Sequence, residues 1–220
     1  RRNDPSRVIL DDTLTRGLIP MHGVAHALIL TALVLPMQGL VAYSPSSTST
    51  YAQRYALSPN TSSYPYWSGG DCTNFASQSI KAGGIQTTSS WHCYKNWYTI
   101  YNYFWDITNS WSKAPNLKSW LGTSGNGYVS KIYSRKAGAT NPPPQYSSYL
   151  CIGELVFLDW EGDGTVDHTS VLTTVSGSAG SLQSNVCQHT SNRKNVIWTL
   201  EPYMTADQKA NTKYYILDVD

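Results

Sequence analysis

The residues best equipped for chemistry in this sequence cluster around one cysteine. The stretch YPYWSGGDCTNFASQSIKAGG occupies residues 64–84. Gly69 and Gly70 interrupt the chain before it, Asp71 is a good helix N-cap, and Gly83-Gly84 is a good stop. Between them the pattern predicts a helix of about three turns. Cys72, Phe75, Ala76, Ser79 and Ile80 recur at helical spacing, so that face turns to the core. Cys72 then sits at the first helical position, in the positive field of the helix N-terminus, which favours thiolate over thiol. The first-turn N–H groups become candidate donors to an oxyanion. Asp71 would oppose the thiolate by direct charge, although its expected task is capping. A cysteine at a helix start also serves as a small buried hydrophobe or as half of a disulfide, so partners must decide.

A thiolate nucleophile needs a base that takes its proton and later returns it to the leaving group. Of the five histidines, His22 and His26 lie in an apolar N-terminal stretch, which leaves His92, His168 and His189. His168 opens the strand-like run HTSVLTTV after a turn rich in Gly and Asp. His189 lies in CQHTSNR, residues 187–193. In a regular strand Cys187, His189 and Ser191 share one face, and Gln188 and Asn192 the other.

GGDCTNFASQ followed by AGG resembles the cysteine motif of an amidase-domain family in the papain-like superfamily, kin to the NlpC/P60 and CHAP cell-wall hydrolases. The similarity runs from about Tyr51 to the C-terminus and includes Trp91 to Trp111, where Ser-Trp recurs. It implies an α+β, papain-like fold of NlpC/P60 type, in which N-terminal helices including the Cys helix pack on an antiparallel sheet carrying the base. It implies Cys72 as nucleophile and His168 as base, with Gly153-Glu154-Leu155-Val156 matching the strand that precedes the family's histidine. For the group that orients the imidazole it offers His189 first, then Asn192, then Gln188. Tyr66 matches a tyrosine that shapes the oxyanion site, and His92 is left a structural or surface role.

The resulting expectation is a hydrolase that cleaves amide bonds, in peptidoglycan or peptides, through a Cys72–His168–polar triad and an acyl-enzyme. Trp97 and Trp105, within a stretch dense in Trp and Tyr, are expected to line the substrate cleft. Two alternatives use the same fold: a non-catalytic module that binds cell wall or carbohydrate, and an acyltransferase. No cofactor is expected. Asp159, Glu161, Asp163 and Asp167, with Gly164 in the sixth place, echo the start of a calcium loop, but Ser170 stands where a bidentate Glu is needed. A polar turn is therefore expected there, with a structural calcium as the weaker reading. Zinc is set aside because Cys187 and His189 have no second ligand pair.

These groups require a scaffold, and 220 residues suffice for one domain with a sizeable core. Charged residues make up 14% and the net charge is +2, with no basic block, which excludes a nucleic-acid partner. The chain holds 16 Tyr and 8 Trp but 3 Phe, a palette suited to gripping sugars or peptides. With Cys72 working as a thiol, the other cysteines allow at most one internal bridge. Asn141-Pro-Pro-Pro144 marks a loop that divides a helical N-terminal part from strands expected at Gly153–Trp160, His168–Val175, Ser184–Thr190, Val196–Trp198 and Tyr214–Val219. Helices followed by strands read as α+β. The apolar run Val24–Ala42, then a Ser/Thr-rich tail from Ser44 to Thr50, reads as a signal peptide within a leader of residues 1–43, with a buried or membrane-anchoring helix as the weaker reading. The amidase domain is placed at 51–220. A secreted or cell-wall protein follows, monomeric and with no membrane association after the leader is removed.

Overall fold

Ser44 followed by Pro45 is an N-cap with proline at the first helical position, a strong local start signal. In the computed structural model, which describes residues 42–144 and 149–220, it opens helix α1 (Pro45–Tyr55), where the Ser44 hydroxyl accepts the Ser47 N–H. The Ser/Thr-rich segment expected to be a polar tail is thus the first half of a helix, with Thr48, Ser49 and Ala52 buried. The packed domain begins ahead of Tyr51, and the leader expected over 1–43 lies almost wholly outside the described residues. Among the described residues no helix is long and apolar enough to cross a membrane.

Helix α2 (Cys72–Ala82) forms where the cysteine motif predicts it, with Gly83 at its C-cap and Gly84 in the left-handed region. A hairpin, β1 (Cys93–Trp97) and β2 (Tyr103–Ile107), stands as a separate two-stranded sheet. Two further helices follow, α3 (Asn109–Ser112) and α4 (Ala114–Ser124). The main sheet comprises β3 (Gly127–Ser134), β4 (Leu155–Asp159), β5 (His168–Ser176), β6 (Gln183–Gln188), β7 (Arg193–Ile197) and β8 (Lys213–Val219). Its order is β3-β8-β4-β5-β6-β7, antiparallel throughout. A short helix α5 (Ala206–Asn211) precedes β8.

Both faces of this sheet are covered. On one, Phe75 and Ile80 of α2, Trp111, and Leu117 and Leu121 of α4 meet Leu155, Phe157, Val171 and Leu217. On the other, Leu150, Trp198, Leu200 and Met204 close over Val156, Leu158, Leu172 and Ile216. Strand β4 alternates between the two clusters and is buried along its length, as a central strand must be.

The α+β class holds, but the division at the proline loop does not. The hairpin and β3 are strands within the part expected to be helical. Strand β3 was illegible because it is an edge strand with Tyr128, Val129 and Ile132 exposed, and a register shift between Val129 and Lys131 breaks its alternation. The strands expected from β4 onward all form.

Gly153 ties the first helix to the sheet. Its φ is +88°, a β-carbon there would sit 2.6 Å from the Pro45 Cα, and its carbonyl accepts the Tyr43 hydroxyl at 2.7 Å. Gly153→Ala should therefore destabilise the domain by about 2–4 kcal/mol, combining left-handed backbone strain with overpacking. Urea denaturation measures this; an unchanged midpoint would mean that α1 does not dock there.

Candidate active site

Cys72 occupies the first position of α2 and is 8% exposed. Its sulfur lies 3.7 Å from the Thr73 hydroxyl, which in turn lies 3.4 Å from the Thr169 hydroxyl on β5. That contact seats the helix start beside the first residues of β5, where His168 stands. The Cys72 N–H has no partner among the described residues, as expected of a first-turn amide.

His168 is oriented by Gln188: imidazole Nε2 and amide Oε1 are 3.0 Å apart. The amide's direction follows from its neighbours. Its Nε2 faces the backbone carbonyls of Thr190 and Ser191 at 3.5 and 3.4 Å, and its Oε1 also accepts the Ser170 hydroxyl at 3.1 Å. An amide oxygen only accepts, so His168 Nε2 carries the hydrogen and the lone pair of a neutral ring resides on Nδ1. Burial works to raise the Cys72 thiol, but hydrogen bonding to and the charge of His168 outweigh it, helped by the Thr73 hydroxyl and the Thr169 backbone. The thiol is brought down to about 7. Trp160 lies over the imidazole, 5.7 Å between centroids and 30° between planes.

The remaining candidates are placed differently. His189 does not meet His168. Its ring lies on the α2 side of the sheet, with Nδ1 2.6 Å from Asp71 Oδ2 and Nε2 2.8 Å from the Tyr55 carbonyl. Gln188 is the last residue of β6 and its amide meets Ser170 and His168, whereas His189 lies just beyond the strand and turns to Asp71 and Tyr55. Of the three sequence candidates, it is the third, Gln188, whose side chain meets His168. Asn192 makes no contact with His168, and its Oδ1 is buried without a partner among the described residues. Asp71 holds the N-cap position without capping, because its carboxylate is committed to His189, Asn74 and the Trp67 N–H. Tyr66 meets His189 edge-on at 5.7 Å. Trp97 and Trp105 belong to the hairpin, where Lys95 lies over their rings at 4.7 and 5.7 Å and over Tyr103 at 3.9 Å. Among the described residues, no ring contact or hydrogen bond joins them to Cys72 or His168. His92 is buried at the hairpin base, stacked on Tyr94. Trp160 was missed from sequence, although it sits at the end of the strand preceding the His168 turn.

The acidic loop between β4 and β5 brings Asp159, Glu161 and Asp167 within 4.8 Å of one another. Backbone amides already occupy it: Asp159 accepts from Asp163 and Gly164, and Asp167 from Trp160. Asp163 turns to the Thr165 N–H. Ser170 points to Gln188 and offers this loop no closing ligand. The four cysteines are free, Cys72, Cys93 and Cys187 buried and Cys151 exposed.

Such a site can present a thiolate to a carbonyl carbon and hand a proton to the departing group. The chain is a member of the amidase-like family described as "Putative amidase domain", which it matches over residues 42–217. It is similar to "Uncharacterized protein YjcM" of Bacillus subtilis (strain 168), with 28% identity over 163 residues, 70% of this chain and 32% of that protein. The chain thus spans about a third of that relative's length. No solved structure matches.

Proposed function

We propose that the domain is a cysteine amidase of papain-like arrangement, hydrolysing amide bonds in peptides or peptidoglycan outside the cytosol. The observation that carries this reading is the chain Cys72–His168–Gln188, which pairs a lowered thiol with an imidazole whose tautomer is set by an amide. Cys72 attacks the amide carbon as thiolate, and the developing oxyanion meets the unpartnered Cys72 N–H at the positive end of α2. His168, now protonated, delivers its proton to the leaving nitrogen, and the C–N bond breaks to give a thioester on Cys72. Water, deprotonated by His168, then attacks the thioester and frees the carboxylate product. Gln188 accepts the Nε2 hydrogen throughout and prevents the ring from turning. Trp160 shields the imidazole from bulk water, and the hairpin, with Trp97 exposed and Trp105 half-buried, offers surface to a glycan or peptide.

The test combines purified domain with peptidoglycan and with peptide anilides, reading new amino groups by mass spectrometry. Wild type should release amines and accumulate a thioester on Cys72 when quenched in acid, and Cys72→Ala should do neither. Amine release by Cys72→Ala at the wild-type rate would sink the proposal. Wall binding without amine release favours the binding module, and product trapped mainly by an added amine favours acyl transfer.

A further inference from the structure

Asp71 and His189 form a buried ionisable pair that the proposed steps do not use. Each side chain is 1% exposed, and their Nδ1–Oδ2 separation is 2.6 Å. The second ring nitrogen of His189 faces the Tyr55 carbonyl at 2.8 Å, and since a carbonyl only accepts, that nitrogen bears a hydrogen. Asp71 Oδ1 accepts from the Asn74 amide at 2.7 Å and the Trp67 N–H at 3.3 Å, two donors that favour the ionised carboxylate. The proton between Asp71 and His189 then belongs to the ring. Phe75 stacks on that ring at 4.1 Å, and no lysine or arginine forms an ion pair with Asp71 among the described residues.

Both members are sequence neighbours of the reactive set. Asp71 is the N-cap that immediately precedes Cys72, and His189 follows Gln188 in the turn just beyond β6. Two couplings therefore run side by side between the same two elements, Cys72 to Gln188 through His168, and Asp71 to His189 directly. A third contact reinforces them: the Asp71 N–H donates to the Thr190 hydroxyl at 2.8 Å, in a turn where Thr190 and Ser191 both adopt positive φ. Backbone strain of this kind persists where surrounding contacts over-determine it.

We infer that Asp71 and His189 are a carboxylate–imidazolium positioning pair, which cancels the charge of Asp71 beside the Cys72 thiolate and clamps the start of α2 to the end of β6. The inference rests on Cys72 being the nucleophile. An uncompensated carboxylate next to a buried thiolate disfavours it, because like charges in a poorly solvated site repel strongly. His189 removes that penalty while leaving Asp71 free to hold Asn74 and the loop before the helix. The other titratable groups around the pair are Cys72 of α2, Tyr66 of the preceding loop, and Tyr51 and Tyr55 of α1.

The experiment measures iodoacetamide labelling of Cys72 against pH, with mass mapping, in wild type, His189→Gln, and the double variant Asp71→Asn with His189→Gln. Nitrogen-15 NMR of the wild-type histidines accompanies it. His189→Gln should move the labelling curve to higher pH and slow labelling at pH 7 about tenfold or more. The double variant, neutral at both positions, should recover most of that rate. The His189 ring should show two N–H signals at pH 7. Labelling of folded His189→Gln at the wild-type rate, or a double variant as slow as the single, would overturn the inference. If His189→Gln does not fold, the NMR decides, and a ring with one N–H overturns it. A wild-type Cys72 that labels no faster than exposed Cys151 would instead strike the nucleophile assignment, and the positioning role with it.

Discussion

His168→Ala should leave a folded domain whose Cys72 has lost both its thiolate and its proton carrier. With His168 present the thiol lies at about 7, so near neutral pH roughly half of it is ionised. Removing the imidazole withdraws the hydrogen bond and the charge that lower the thiol, while burial, which raises it, remains. The thiol then rises to at least the ordinary range near ~8.5, and the thiolate at pH 7 falls to a few per cent, a loss of at least about fifteenfold. The sign is specific: labelling is lost around neutrality and recovered as the pH rises through the new value. Amide hydrolysis should fall further, by an additional ~10²–10⁴-fold, because proton delivery to the leaving nitrogen disappears as well. Labelling that keeps its neutral midpoint in His168→Ala would show that the helix end alone ionises Cys72. Cys93 and Cys187 serve as internal controls, since burial raises both thiols, Cys93 to about 12.

Trp111→Ala is expected to have the largest effect on stability of any single replacement near the site. Trp111 is fully buried, its indole N–H donates to Asn74 Oδ1 at 2.7 Å, and its carbonyl accepts the Ser77 hydroxyl at 2.8 Å. Its ring stacks beside Trp91 at 4.7 Å and Tyr64 at 5.8 Å. Truncation opens a cavity beneath α2 and orphans a buried amide oxygen, so the cost should be about 3–5 kcal/mol. Because Asn74 also donates to Asp71, slower labelling of Cys72 should accompany the lower urea midpoint. A loss below ~1 kcal/mol would mean that the site rests on the sheet and not on the Trp111 layer.

How much of this was legible in the sequence depended on the range of the signal. The Cys72 helix was legible because its determinants are local: a Gly-Gly break, an aspartate, apolar spacing and a second Gly-Gly. His168 at a strand start was legible for the same reason. The choice between Gln188 and His189 was not, because it turns on cross-strand register, and a shift lies between Leu172 and Thr174 on β5 and another between Val186 and Gln188 on β6. The partner of His189 was hidden further still, 118 residues away at Asp71. There the local reading, a capping aspartate, was overridden by a tertiary contact. Composition misled at Ser44–Thr50, where small polar residues resemble a tail yet Thr48 and Ser49 are buried under a proline-started helix. The hairpin failed for the opposite reason, since Tyr94, Trp97, Tyr103 and Phe104 are exposed and Trp105 and Ile107 are only partly buried against the core, too weak a signal to mark an inward face.

The position of β8 bears on how this molecule is made. It is the last strand in chain order among the described residues, yet it lies between β3 and β4. Until residues 213–219 clear the ribosome, β3 has no neighbour and β4 is left with an open edge. Long-range antiparallel pairing of this kind is slow and is completed only when both strands are available. Leu217 and Val219 also supply part of the layer on which α2 rests. The growing chain therefore carries the Cys72 thiol in an unfinished shell until β8 takes its place.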